Sequence, residues 1–184
     1  MSQIKGIKIF KTKHFYDNRG YFAEIFKKKL LKKNFVFSCI SYSKKNVLRG
    51  LHIQLKNPQG KYLTVIDGKI FDVIIDLRKK SRTFGKYFST ILDSKKKYSL
   101  YIPSGCAHGF FCLKKSTVYY CCTKYRDKKS EIGIKWNDKN LNIKWPKKNP
   151  IVSKKDKKNY SFRDFYNKLY KKKLSITQGN NGPF

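Results

Sequence analysis

Tyr62-Leu63-Thr64-Val65-Ile66-Asp67-Gly68-Lys69-Ile70-Phe71-Asp72-Val73-Ile74-Ile75-Asp76 is two β-branched, apolar runs of strand length divided by one Asp-Gly pair. A two-residue Asp-Gly loop supplies the positive φ that a type I′ turn needs, so the stretch reads as two strands joined in a hairpin. Working outward, runs of similar character recur at 7–10, 35–43, 88–92, 98–102, 110–113 and 118–123, many with period-2 alternation. Asn57-Pro58-Gln59-Gly60 and Pro103-Ser104-Gly105 supply further turns. Strands at this spacing, with no helical period between them, predict an all-β sandwich or jelly roll.

Near residue 145 the pattern changes. Trp145-Pro146-Lys147-Lys148-Asn149-Pro150 cannot continue a ladder, and 162–169 carries a weak helical period, which predicts a short C-terminal helical segment. No repeat or Gly/Ser linker interrupts the chain, so 1–171 is expected to form a single domain and the polar stretch 172–184 a frayed tail. With 184 residues, 14 Phe and 13 Tyr, there is enough apolar material for a sizeable core.

A formal charge of +33 first suggests a nucleic-acid or anionic-membrane partner. Arg, the residue suited to bidentate phosphate and base recognition, occurs only at 19, 49, 78, 82, 126 and 163, and the other cations are Lys among abundant Ile, Asn, Tyr and Phe. That mixture resembles compositional drift more than a selected binding face, so no specific nucleic-acid partner is expected. The opening Met1-Ser2-Gln3-Ile4-Lys5-Gly6-Ile7-Lys8-Ile9-Phe10 holds no apolar stretch of signal length, and no later window approaches a membrane span; a cytoplasmic protein with no membrane partner is expected. Cys39, Cys106, Cys112, Cys121 and Cys122 are odd in number, form no C-x-x-C pair and lie mostly in apolar runs, as reduced core thiols do.

Only three histidines are present, His14, His52 and His108, and their scarcity makes each one informative. Metal-binding jelly rolls of the cupin type use a His-x-His pair, but His52 is followed by Ile53 and Gln54, so neither a metal nor another cofactor is expected. In Arg49-Gly50-Leu51-His52-Ile53-Gln54, strict alternation would put Arg49, Leu51 and Ile53 on one face and His52 with Gln54 on the other. Taken alone, His52 and His108 read equally well as structural histidines.

Several blocks, in order, shift that balance. Phe15-Tyr16-Asp17-Asn18-Arg19-Gly20-Tyr21-Phe22-Ala23-Glu24, Val47 to Gln54, Gln59-Gly60-Lys61, Asp72 to Arg78, Ile102-Pro103 with Ala107-His108-Gly109-Phe110, Trp136-Asn137-Asp138, Trp145-Pro146 and Ser153-Lys154-Lys155-Asp156 resemble those of the dTDP-4-dehydrorhamnose 3,5-epimerase family. The resemblance implies a cupin-like jelly roll that acts, without a cofactor, on a nucleoside-diphosphate 4-keto-6-deoxyhexose, most naturally the dTDP sugar. It makes His52 the general base, Asp156 its orienting carboxylate, Tyr120 the acid on the opposite face and Lys61 the cation near the enolate oxygen. Arg49, His108, Glu131 and Lys155 match substrate contacts, with Arg49 suited to the diphosphate. Arg19, Glu24 and Phe15 match residues delivered by a neighbouring subunit, which implies a homodimer.

Three positions depart from the family pattern. Phe37 and Cys39 stand where the family commonly has Gln and Asn, and Arg126 where it has a Tyr that stacks on thymine, although Tyr125 lies beside it. The catalytic set is untouched, whereas the nucleotide and the number of inverted centres stay open: a mono-epimerase or a relative using another nucleotide is the near alternative. A basic nucleic-acid-binding β-barrel and a catalytically dead sugar-binding relative are the readings from other classes.

Overall fold

The computed structural model describes residues 4–171, so the tail expected at 172–184 lies outside the described residues. In chain order the strands are β1 (Lys8–Lys11), β2 (Lys13–Asp17), β3 (Gly20–Glu24), β4 (Phe37–Ser43), β5 (Val47–Gln54), β6 (Lys61–Asp67), β7 (Lys69–Asp76), β8 (Tyr87–Asp93), β9 (Tyr98–Ile102), β10 (Cys106–Cys112), β11 (Ser116–Cys122), β12 (Glu131–Gly133) and β13 (Ile151–Val152). One sheet runs β1-β9-β6-β11-β4 and the facing sheet β12-β5-β10-β7-β8, with β13 parallel to β5. The β2–β3 ribbon stands apart from both. This is a mostly-β jelly roll with a short helical C-terminal segment, as the spacing of the runs predicts.

The expected Asp67-Gly68 hairpin is not formed. β6 pairs with β9 and β11, while β7 pairs with β8 and β10, so the turn carries the chain from one sheet to the other. Gly68 has φ of +91°, but Asp67 is not among the residues with positive φ, and type I′ needs both. A Cβ on Gly68 would lie 2.0 Å from the Lys115 carbonyl oxygen, and Lys69 N–H donates to Ser116 Oγ at 3.0 Å. The glycine therefore serves a sheet corner that presses against the β10–β11 turn.

Both strands are central in their sheets and covered on both sides, which explains their near-continuous apolar character. Leu63, Val65, Ile70, Ile74, Phe110 and Val118 fill the space between the sheets. The outer side of β7, with Val73 and Ile75, lies under Ile134, Leu141 and Phe165. Phe165 belongs to α2 (Phe162–Tyr166), which follows α1 (Lys154–Lys157) and continues as a π-helical turn over Asn167–Lys171. The non-strand C-terminal segment is thus an outer layer that completes the core, and its aromatic spacing supplies the contact face. Tyr62 and Tyr101 on the other sheet are covered by Phe10, Phe26 and Phe35. No helix among the described residues is long and apolar enough to cross a membrane.

Candidate active site

A cleft of about 740 Å³ opens between the sheets, lined by residues of β4, β5, β6, β10, β11, β12 and the Ile151–Asp156 segment. On one wall His52 Nε2 lies 2.5 Å from Asp156 Oδ1. The carboxylate only accepts, so Nε2 carries the proton and Nδ1 is left for chemistry. Asp156 is buried, its Oδ2 accepts from Gly50 N–H at 3.3 Å, and Ser153 Oγ caps α1 by accepting from Asp156 N–H at 3.0 Å. Burial pushes this carboxyl up, but the His52 hydrogen bond and charge, with Gly50 N–H and Ser153, outweigh it and hold it below the usual carboxylate range.

Arg49 joins His52 in the cleft, contrary to strict alternation along the strand. The register supplies the reason: Phe110 pairs with Arg49 and His108 with His52, so β5 has an extra residue between these pairs. Such a bulge turns residues three apart onto one face. Gly50 sits at φ +115°, and a Cβ there would meet Gly109 Cα at 2.6 Å and His108 O at 2.7 Å. Two facing glycines therefore permit the close approach that the bulge needs. Arg49 is then aimed by Nε donating to Ser43 Oγ at 2.8 Å and Nη2 donating to Tyr42 O at 3.0 Å.

The opposite wall carries Tyr120 and Lys61, on neighbouring strands of the other sheet. Tyr120 packs against the inter-sheet core, and burial, reinforced by the Cys39 thiol, raises its phenol above the ordinary value against the pull of Ser41 and Arg49. Phe37, Cys39 and Cys122 line the same wall, so the residues standing in place of Gln and Asn do face the cleft. Burial raises the Cys122 thiol to about 11 despite the Lys61 charge, which keeps it neutral near pH 7.

At the rim, Glu131 accepts from Arg126 Nε at 2.9 Å and Nη2 at 3.1 Å, and it also pairs with Lys155. Burial raises its carboxyl, but hydrogen bonds from Arg126 and Lys155 and the His52 and Arg126 charges prevail, lowering it to about 2. Beside Arg126, the Tyr125 ring stacks on the cleft-lining Phe37 with centroids 6.0 Å apart and planes at 16°. His108 lines the cleft beside His52, with Nε2 2.7 Å from Asp72 Oδ2.

Phe15, Arg19 and Glu24 are not brought into the cleft of this chain. They sit on or beside β2 and β3, where Arg19 pairs with Asp17 and Glu24 with Lys27. Residues that sequence reasoning left without a role include Asp72, Ser43, Gly50 and Gly109; Asp72 and the glycines stood inside the matched blocks. A second groove of about 770 Å³ lies on the far side of Val152 and Asp156. Its Asp138 is committed to backbone N–H groups of Asn140, Leu141 and Phe162, leaving the reactive constellation in the first cleft.

Sheets that set an imidazole–carboxylate pair on one wall and a phenol with a lysine on the other have the layout of a jelly-roll isomerase, an enzyme that inverts carbon centres by moving protons. Residues 1–164 match the family model described as dTDP-4-dehydrorhamnose 3,5-epimerase, and the chain belongs to that family. It is 42% identical over 171 residues to the dTDP-4-dehydrorhamnose 3,5-epimerase of Shigella flexneri, covering 89% of this chain and 94% of that one. Among solved structures, the dTDP-6-deoxy-D-glucose-3,5-epimerase of Legionella pneumophila in complex with dTDP-4-keto-L-rhamnose superposes with a TM-score of 0.85 at 37% identity, covering 94% of each chain. The Bacillus anthracis enzyme, solved with TDP and PPi bound, gives 0.83 at 37% identity over 88% of this chain and 97% of that one.

Proposed function

We propose that the protein converts dTDP-4-dehydro-6-deoxy-D-glucose to dTDP-4-dehydro-L-rhamnose by inverting carbons 3 and 5. The observation that carries this reading is the placement of His52–Asp156 and Tyr120 on opposite sheets. Packed sheets stand about 10 Å apart, room for one hexose ring between a base on one face and an acid on the other. Inversion needs that arrangement, because a proton taken and returned by one group on one face restores the original configuration.

Hydrogens on carbons 3 and 5 are weakly acidic because each carbanion delocalises onto the carbon 4 oxygen. His52 Nδ1 takes the proton, and Asp156 stabilises the resulting imidazolium through Nε2–H. Lys61 faces the growing enolate charge, favouring the transition state over the ketone. Tyr120, kept protonated by its raised pKa, returns a proton from the other side. Arg49 suits the diphosphate, and Arg126 and Lys155, tethered to Glu131, supply positive charge at the rim.

We further infer a cytoplasmic homodimer. Phe15, Tyr16, Tyr21 and Phe22 leave the β2–β3 ribbon with a large exposed aromatic surface, which suits placement of Phe15, Arg19 and Glu24 against a second copy. All five cysteines are free thiols, as suits a reducing compartment. Incubating the protein with the dTDP sugar in deuterium oxide tests the reaction. Label at both carbons 3 and 5 is expected; label at one carbon would establish a mono-epimerase, and none would overturn the assignment for this substrate.

A further inference from the structure

Gln54 closes β5 just beyond His52, inside the matched block, and the mechanism above gives it nothing to do. It is 5% exposed and does not line the cleft. Its whole amide is nonetheless engaged: Nε2 donates to Asn57 O at 2.9 Å and to Tyr125 O at 3.1 Å, and Oε1 accepts from Asp127 N–H at 2.8 Å. The contacts to Tyr125 and Asp127 fall on the peptide groups that bracket Arg126. A buried amide with both hydrogens and its oxygen engaged holds a loop firmly, because breaking any of these bonds leaves a polar group unpaired away from water.

The side chain of Arg126 is held as well, by the register partner of Gln54. Glu131 on β12 faces Gln54 on β5 and takes Arg126 Nε and Nη2. Nη1 makes no hydrogen bond among the described residues, and Arg126 lines the cleft. One cross-strand pair therefore fixes this arginine at both ends, its backbone from Gln54 and its guanidinium from Glu131, before any ligand arrives. Gln59 Nε2, donating to Lys124 O at 2.8 Å, ties down the approach to the same segment. A flexible cation loses freedom when it closes on a phosphate, which weakens binding, whereas a preset one does not. We propose that Gln54 is a positioning residue for nucleotide binding, holding the backbone on either side of Arg126 so that the guanidinium is already in place for the nucleoside diphosphate. The strap reaches the substrate only through Arg126, so the loss on breaking it is bounded by what Arg126 itself contributes.

The proposal rests on the nucleotide-sugar reading and is tested apart from the chemistry. Gln54→Met, Arg126→Ala and the double replacement are compared by calorimetric affinity for dTDP, and by kcat and KM for deuterium wash-in from the dTDP sugar. Arg126→Ala should weaken dTDP binding by about 10- to 100-fold, the range for a hydrogen bond to a charged group. Gln54→Met should weaken it by about 5- to 30-fold, as the loop spends less time in the competent position, and should raise KM with kcat near wild type. The double variant should bind no worse than Arg126→Ala, because Gln54 acts through Arg126. Unchanged dTDP affinity in either single variant, additive losses, or a fall in kcat in place of a rise in KM would overturn the proposal, the last by showing that Gln54 acts on His52 along β5. Should Gln54→Met not fold, Gln54→Glu, which keeps the acceptor for Asp127 N–H and loses the donor to Tyr125 O, decides by the same cycle. Wild type that binds dTDP but shows no wash-in sinks the epimerase reading, and the dTDP cycle still decides on Gln54. Normal wash-in in wild type with no loss of dTDP affinity on replacing Gln54 sinks only the proposal.

Discussion

Replacing Gly109 with Ala tests whether the bulge in β5 sets the geometry of the site. A Cβ at this position would stand 2.7 Å from Arg49 O, 3.0 Å from Leu51 Cδ2 and 3.2 Å from Gly50 Cα. The leucine methyl can rotate aside, but two of the three neighbours are backbone of the bulge itself. Restoring ordinary contact requires β5 and β10 to separate by about 0.5–1 Å, and overpacking of that kind costs about 1–3 kcal/mol. The same displacement moves His52 relative to Arg49, and misplacement of reacting groups by about 1 Å costs about 10²-fold in rate. Urea denaturation and kcat/KM, measured where the variant remains folded, are expected to show both losses, the kinetic one persisting after correction for unfolded protein. Wild-type stability together with wild-type kcat/KM would refute the role given to the glycine pair.

Separating base from acid gives the next expectation: Tyr120→Phe retains deuterium exchange at carbon 5 while net inversion falls by about 10² to 10⁴-fold, and His52→Asn loses both. Near-normal exchange in His52→Asn would remove His52 as the base. Glu131 links the rim to acid stability. Its folded pKa of about 2 lies below the usual 4.5, so its contribution is fully present above pH 4.5 and is lost as pH falls through 2. That difference converts to about 3 kcal/mol, which the half-exposed Arg126 and Lys155 screen to about 1–2 kcal/mol. Glu131→Gln should therefore be less stable than wild type by that amount at pH 7, with a smaller gap at pH 3; a gap independent of pH would refute the charge pairing. Phe165→Ala empties a fully buried position under β7 and should cost about 3–5 kcal/mol in chemical denaturation, leaving kcat of the folded protein near wild type.

The all-β class was legible because strand runs such as 69–76 and 98–102 carry both their length and their apolar pattern in the sequence. The partner of each run was not. Asp67-Gly68 has the composition of a hairpin loop, but pairing is decided by contacts with strands far along the chain, and a corner needs the same permissive glycine. His52, Tyr120, Asp156 and Lys61 were legible only as a set, through blocks in a fixed order; spacing alone says nothing of a pair 104 residues apart. Alternation put Arg49 on the wrong face, since a period-2 reading has no means to register an extra residue opposite Gly109. Asp72 escaped notice because an acidic residue within Phe71-Asp72-Val73 gives no local sign that a histidine on the neighbouring strand will meet it.

The corner at Gly68 also bears on the order in which the protein becomes an enzyme. β6 must wait for β9 and β11, β5 for β10, and His52 for a carboxylate near the end of the described chain. During synthesis the emerging N-terminal half therefore holds a base with no orienting partner and wall strands β4, β5 and β6 whose pairing partners have yet to emerge. Refolding dominated by such distant pairings is expected on the order of milliseconds to seconds. Proton transfer should return only with the last-docked segment, so the recovery of activity in a refolding experiment reports the seating of α1 rather than the collapse of the sheets.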